Sequence, residues 1–168
     1  MSKLKIVIAD NESIIRMDLK EMLEEAGHEV VGECFNGLKA IELTQRLKPD
    51  LVIMDIKMPE MDGIETTRQI RNRVGNDVTI IILSVYDYSE IEAEAREAGV
   101  DEFIAKPLFR SRLTATLKNI IEGKPNKEAK NYLSNIETAE NGKEAVEKFA
   151  NAPSGFYDLI FMDIHMPV

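Results

Sequence analysis

The stretch DLVIMDIKMP at 50–59 decides how this chain is read. Leu51 to Met54 run without a polar break and stop at Asp55. So short a run, with no alternation, suits a strand buried on both faces, as in a parallel sheet covered by helices on either side. Asp55 stands where that strand leaves the core. The stretch returns as DLIFMDIHMP at 158–167, an offset of 108, and NGLKAIEL (36–43) returns as NGKEAVEKF (141–149), an offset of 105. An internal repeat of about one domain length gives one unit and part of another. It points at the aspartate after the buried strand as the chemical centre.

Working outward, Leu4 to Ala9 is a second β-branched run, stopping at Asp10. Ile15, Leu19, Met22, Leu23 and Ala26 keep helical spacing over 13–26, and Gly27 ends it. Strands are expected at 29–35, 78–83 and 103–105, the last two ending at Ser84 and at Lys106-Pro107. Helices are expected from Asn36-Gly37 to Leu47, from Ile64 through Ile70, over 88–98, and over the stripe Leu113, Thr116, Leu117, Ile120 and Ile121. Strands alternating with helices predict an α/β fold, a doubly wound five-stranded parallel sheet with helices on both faces. Ligands of such sheets bind beyond the carboxyl ends of the strands. Asp10, Asp55, Ser84 and Lys106 come from four strands and must meet there.

Composition excludes several classes. Net charge is −9, with 16 basic and 23 acidic residues in 1–123, so a net basic field for nucleic acid is missing. Cys34 is the single cysteine, which rules out an internal disulfide and a cysteine-based zinc site. Without a membrane-length apolar run or a signal-peptide layout, a cytoplasmic setting is expected by elimination. His28 and His165 are expected to be surface or loop histidines.

Two acids and a lysine at one sheet edge suit phosphoryl chemistry. A divalent cation, Mg²⁺ by preference, is gripped by oxygen ligands. Lys106 neutralises the oxygens of a phosphoryl group in transit, Asp55 is the nucleophile, and Ser84 hydrogen-bonds a phosphoryl oxygen.

Four pieces, ADNE (9–12), DLVIMDIKMPEMDG (50–63), ILSV (82–85) and FIAKP (103–107), occur in order at the expected strand ends. Through them residues 1–123 resemble the receiver domain of two-component response regulators, which implies a flavodoxin-like topology. The resemblance implies that Asp55 accepts phosphate from a sensor histidine kinase or a histidine phosphotransfer protein. It implies Mg²⁺ held by Asp55, by the acidic pair after the first strand, and by the backbone carbonyl of Ile56. Ser84 matches the hydroxyl switch residue, Lys106 the site lysine and Phe103 the aromatic switch position, and Lys106-Pro107 is expected to be cis. The pair here is Asp10-Asn11, and the neutral Asn11 is expected to weaken cation affinity. Glu12 is a conceivable substitute, although it also suits the start of the first helix. Lys57 and Tyr86 are expected to flank the site.

Residues 124–134 read as a linker and short helix. Residues 135–168 read as an incomplete second receiver-like segment, a strand–helix–strand piece with strands at 136–139 and 159–162. It has no counterpart of Ser84 or Lys106, so Asp163 is expected to be inactive, and the chain reads as a truncated or fused piece. IADNESIIRMDLKEMLEEAGHEVVGE resembles antiterminator-type regulators. DEFIAKPLFRSRL and IETAENGKEAVEKF resemble receivers of hybrid sensor histidine kinases. The function expected is a phosphorylation switch that reshapes a protein-binding face, with a homodimer as one outcome. The alternative is a phosphorylation-independent pseudo-receiver that binds partners constitutively. An aspartyl-phosphate hydrolase needs a second carboxylate two residues after its nucleophile on the first strand, and ADNE lacks one. A flavin site needs a Ser/Thr/Gly-rich loop there, and this loop is acidic.

Overall fold

The apolar runs become strands β1 (Lys5–Ala9), β2 (Glu29–Cys34), β3 (Leu51–Asp55), β4 (Thr79–Ser84) and β5 (Glu102–Ala105). The helical spacings become α1 (Ser13–Glu25), α2 (Gly37–Leu47), α3 (Gly63–Val74), α4 (Ser89–Ala98) and α5 (Arg110–Ile121). The structure, a computed structural model, describes residues 2–84, 89–123 and 139–151, without the side chains of 89 and 90. Two compact units are distinguished, Met1–Ala129 and Lys130–Val168.

All strand pairs are parallel, in the order β2-β1-β3-β4-β5. This is the flavodoxin-like order. The pleat splits the strands' side chains between two cores. Val7, Val52, Met54, Ile80, Ile82 and Phe103 pack against α2, α3 and α4 through Ala40, Ile41, Ile64, Ile70 and Ala95. Ile6, Ile8, Leu51, Ile53, Ile81 and Leu83 pack against Leu19 and Leu23 of α1 and Leu113 and Leu117 of α5. Burying one such side chain contributes about 1.5–3 kcal/mol, and here both faces of β1 and β3 contribute.

Caps fix where helices begin. Asn36 Oδ1 accepts the Lys39 amide at 2.9 Å and Asp62 Oδ1 the Glu65 amide at 2.8 Å. Each such cap is worth about 1 kcal/mol. Gly63, the first residue of α3, is required by a close approach: a Cβ there would stand 2.7 Å from the Asp55 carbonyl oxygen. α2 stops at Lys48, whose φ of 45° is left-handed, directly before Pro49.

At the opposite end of the strands, Arg71 stitches α3 to the loops before β4 and β5. Its guanidinium, on a side chain 12% exposed, donates to the Gly75, Val78 and Gly99 carbonyls and to Asp101 Oδ2. Asp101 Oδ2 also accepts the Ile80 amide. His28 is a loop histidine, between α1 and β2, but not a surface one: it is 6% exposed, and its Nδ1 accepts the Leu4 amide at 3.3 Å. Burial holds its pKa below the ordinary value.

In the second unit the described part is one helix, α6 (Gly142–Asn151). Asn141 Oδ1 accepts the Glu144 amide at 2.9 Å, the counterpart of the Asn36 cap 105 residues earlier. Burial differs: Ile41 is 2% exposed and its counterpart Val146 is 68% exposed. The strand expected over 159–162, Asp163, His165 and Tyr86 lie outside the described residues. So does the strand expected over 136–139, except Ala139, which belongs to no strand.

Candidate functional site

Parallel strands in register end level with one another. Ala9 is paired with Met54, Asp55 with Leu83 and Ser84 with Ala105. The residues at or just past these ends, Asp10, Asp55, Ser84 and Lys106, therefore share one edge. Asp10, Asp55 and Ser84 are 1%, 5% and 3% exposed. Lys106 Nζ lies 3.0 Å from Asp10 Oδ2 and 3.3 Å from Asp55 Oδ1. Its backbone amide donates to the Ser84 carbonyl at 2.7 Å, and the Lys106-Pro107 bond is cis.

The two acids are held differently. Each oxygen of Asp10 takes one donor, which leaves a further lone pair on each carboxylate oxygen: Oδ1 accepts the Glu12 amide, Oδ2 accepts Lys106 Nζ, and the backbone carbonyl accepts Arg16 at 2.6 Å. Asp55 Oδ1 is buried and has only the Lys106 ion pair. Among the described residues it is the one buried side-chain oxygen without a hydrogen bond. Burial pushes the Asp55 carboxyl above the usual range, Lys106 opposes that, and the Asp10 charge adds to it. Burial alone would lower Lys106, yet the hydrogen bond to Asp10 and the charges of Asp55 and Asp10 leave it raised.

Asp55, Ser84 and Lys106 line an open cleft with Asn11, Glu12 and Lys57 among its walls. Ile56 also lines it, and its carbonyl accepts the Gly63 amide at 2.9 Å, so one lone pair is committed to closing the β3–α3 loop. Asn11 is exposed, and no bond of its side-chain amide is found among the described residues. An unpaired buried carboxylate oxygen beside a second carboxylate is a donor set suited to a hard divalent cation. Asp55, Asp10, the Asn11 amide oxygen and the Ile56 carbonyl are the atoms that fit it. The fit is sparse, because no three acidic, histidine or cysteine side chains converge among the described residues.

Phe103 is 1% exposed within the α2–α4 core, and Arg96 of α4 covers its ring with the guanidinium 5.3 Å from the centroid. Sequence reading passes over Arg16 and Arg96. Each acts through a contact that forms only on folding, and in the sequence each is masked by ordinary helix composition. The one available signal is an arginine one turn into the helix after Asp10.

A family model described as the response regulator receiver domain matches residues 6–118. The chain is 40% identical over 114 residues to the transcriptional regulatory protein PdtaR of Mycobacterium tuberculosis, covering 68% of this chain and 55% of that protein. It thus spans about half of that relative's length. It is 39% identical over 116 residues to the chemotaxis protein CheY of Thermotoga maritima, covering 69% of this chain and 96% of CheY. Among solved structures, the signal receiver domain of the response regulator NarL from Mycobacterium tuberculosis is similar, with a TM-score of 0.68 at 25% identity. That match covers 74% of this chain and 100% of the NarL domain. Among the described residues, no helix is long and apolar enough to cross a membrane.

Proposed function

The chain belongs to the response regulator receiver family, a family of signalling modules, and on that premise we propose that it accepts a phosphoryl group on Asp55 from a phosphohistidine of a partner kinase or phosphotransfer protein. One observation carries this reading: Asp55 Oδ1 is buried, unpaired by hydrogen bonds and 3.3 Å from Lys106. A buried carboxylate oxygen that no hydrogen bond occupies keeps a lone pair available for attack. It forms the new O–P bond as the partner's N–P bond breaks, and the departing imidazole takes up a proton. Lys106, between Asp10 and Asp55, receives charge from the transferred oxygens. Ser84, at the neighbouring strand end, supplies a hydroxyl to one of them. Asp55, Asp10, the Asn11 amide oxygen and the Ile56 carbonyl would hold Mg²⁺, which would neutralise further phosphoryl charge when bound. The consequence is a two-state shift in which Ser84 is drawn toward the new group and Phe103 repacks, reshaping the face of β4, α4 and β5 for a protein partner or a second copy. The setting is cytoplasmic.

A phosphorylation-independent module is the second reading, supported by the neutral Asn11 and the sparse acid count. The test is incubation with Mg²⁺ and acetyl phosphate, read by intact mass, with Asp55→Asn beside it. Beryllofluoride, read by amide spectra, is the inert counterpart. A phosphoryl adduct absent from Asp55→Asn supports the switch. No adduct, and no shifts near Ser84 and Phe103, establishes the second reading.

A further inference from the structure

Among the described residues, four carboxylates line the cleft: Glu12, Asp55, Asp62 and Glu94. Asp62 is committed to capping α3 through the Glu65 amide. Glu94 is committed to Arg68, with Nη2 2.8 Å from its Oε1. Asp55 carries the orphaned oxygen, which points to a missing ligand. Glu12 is left. It is the N-cap residue of α1, but its side chain makes no capping bond, and its own amide serves Asp10 Oδ1. Among the described residues no hydrogen bond or ion pair holds its carboxylate, which is exposed at the cleft.

The charge at the site is short on the acidic side. Asp10 and Asp55 contribute two negative charges and Lys106, in contact with both, cancels one. Asn11 adds none. Oxygen ligand charge is a main determinant of divalent cation affinity. We infer that Glu12, which lines the same cleft as Asp55, would supply the second charge that Asn11 lacks, holding the cation directly or through a water. Bringing its carboxylate to the cation costs little, because no bond has to be broken and the residue's backbone is already fixed by Asp10. The inference rests on the proposed Mg²⁺-dependent receiver function and assigns a ligand to that same site.

The experiment is an Mg²⁺ titration of the full chain followed by amide spectra, for the unaltered protein, Glu12→Gln and Glu94→Gln. Glu94→Gln removes the same charge from the same cleft and so controls for the general field. Glu12→Gln is expected to weaken Mg²⁺ binding about tenfold, as expected for a lost charged ligand, and Glu94→Gln far less. In an Asn11→Asp background the Glu12→Gln effect is expected to shrink, since the carboxylate introduced beside Asp10 then provides the charge. Mg²⁺ binding that ignores Glu12→Gln, or falls equally in Glu94→Gln, overturns this inference alone. No Mg²⁺ binding by the unaltered chain overturns both it and the Mg²⁺-dependent function.

Discussion

Replacing Asp55 by asparagine should make the fold more stable at neutral pH, although it removes the residue at the centre of the site. The buried Oδ1 finds no hydrogen bond, and an unsatisfied buried acceptor costs about 1–3 kcal/mol. The Asp10 carboxylate adds like-charge repulsion, and Lys106 returns part through an ion pair at 3.3 Å. The raised pKa of Asp55, with burial as its first cause, says that the losses exceed the return. A carboxyl raised on folding keeps its proton to higher pH in the folded chain. Its favourable contribution is therefore full below the ordinary carboxyl value, and it is lost as pH rises through the raised one. Asparagine keeps the neutral state at all pH. The expected gain is about 1 kcal/mol at pH 7; it comes from dropping a buried charge beside Asp10, since the amide oxygen stays a buried acceptor. It should vanish near or below about pH 4, where the ordinary carboxyl is itself protonated. Urea unfolding followed by far-UV circular dichroism at both pH values measures it. A less stable Asp55→Asn protein at pH 7, or a gain of equal size at both values, refutes the reasoning.

Three further outcomes are expected. Gly63→Ala should destabilise by about 1–3 kcal/mol, since the added Cβ meets the Asp55 carbonyl at 2.7 Å and backbone yields poorly; urea unfolding checks it, and unchanged stability would sink the packing argument. Arg71→Lys should cost a similar amount, about 1–3 kcal/mol, because an ammonium cannot span the Gly75, Val78, Gly99 and Asp101 acceptors at once; amide exchange at Ile80 should accelerate, and wild-type protection there would count against it. His28, depressed by burial, contributes stability that is full above its ordinary pKa and lost as pH falls through the lower folded value. His28→Gln should flatten the stability profile between about pH 7 and 5, where an ordinary imidazole titrates, and an unchanged slope would contradict the buried-histidine reading.

Much of this was legible because the signals are local. Unbroken β-branched runs mark buried parallel strands, and Asn36-Gly37 marks a helix start through its cap. The convergence of Asp10, Asp55 and Lys106 followed from strand ends in an alternating pattern. What stayed hidden depends on distance in space rather than in sequence. His28 follows a helix-ending glycine, as a surface residue would, yet it is buried, with its Nδ1 taking the Leu4 amide from far along the chain. Arg71 looks like any basic residue in the last turn of a helix until the 75, 78 and 99 carbonyls are brought around it. That each Asp10 oxygen finds a donor, while Asp55 keeps one without a hydrogen bond, is a matter of which donors arrive, and no pattern encodes it.

The strand order has a consequence for assembly during synthesis. β1 and β3 are neighbours inside the sheet, and β5, which leads into Lys106, is both an edge strand and the last strand of the sheet to be made. Asp10 and Asp55 lie on strands made early, and their shared counter-ion follows about 50 residues later in the chain. A chain that stops before position 106 holds both carboxylates without the cation that offsets their repulsion, so the lysine that serves the mature site also belongs to what the finished fold requires.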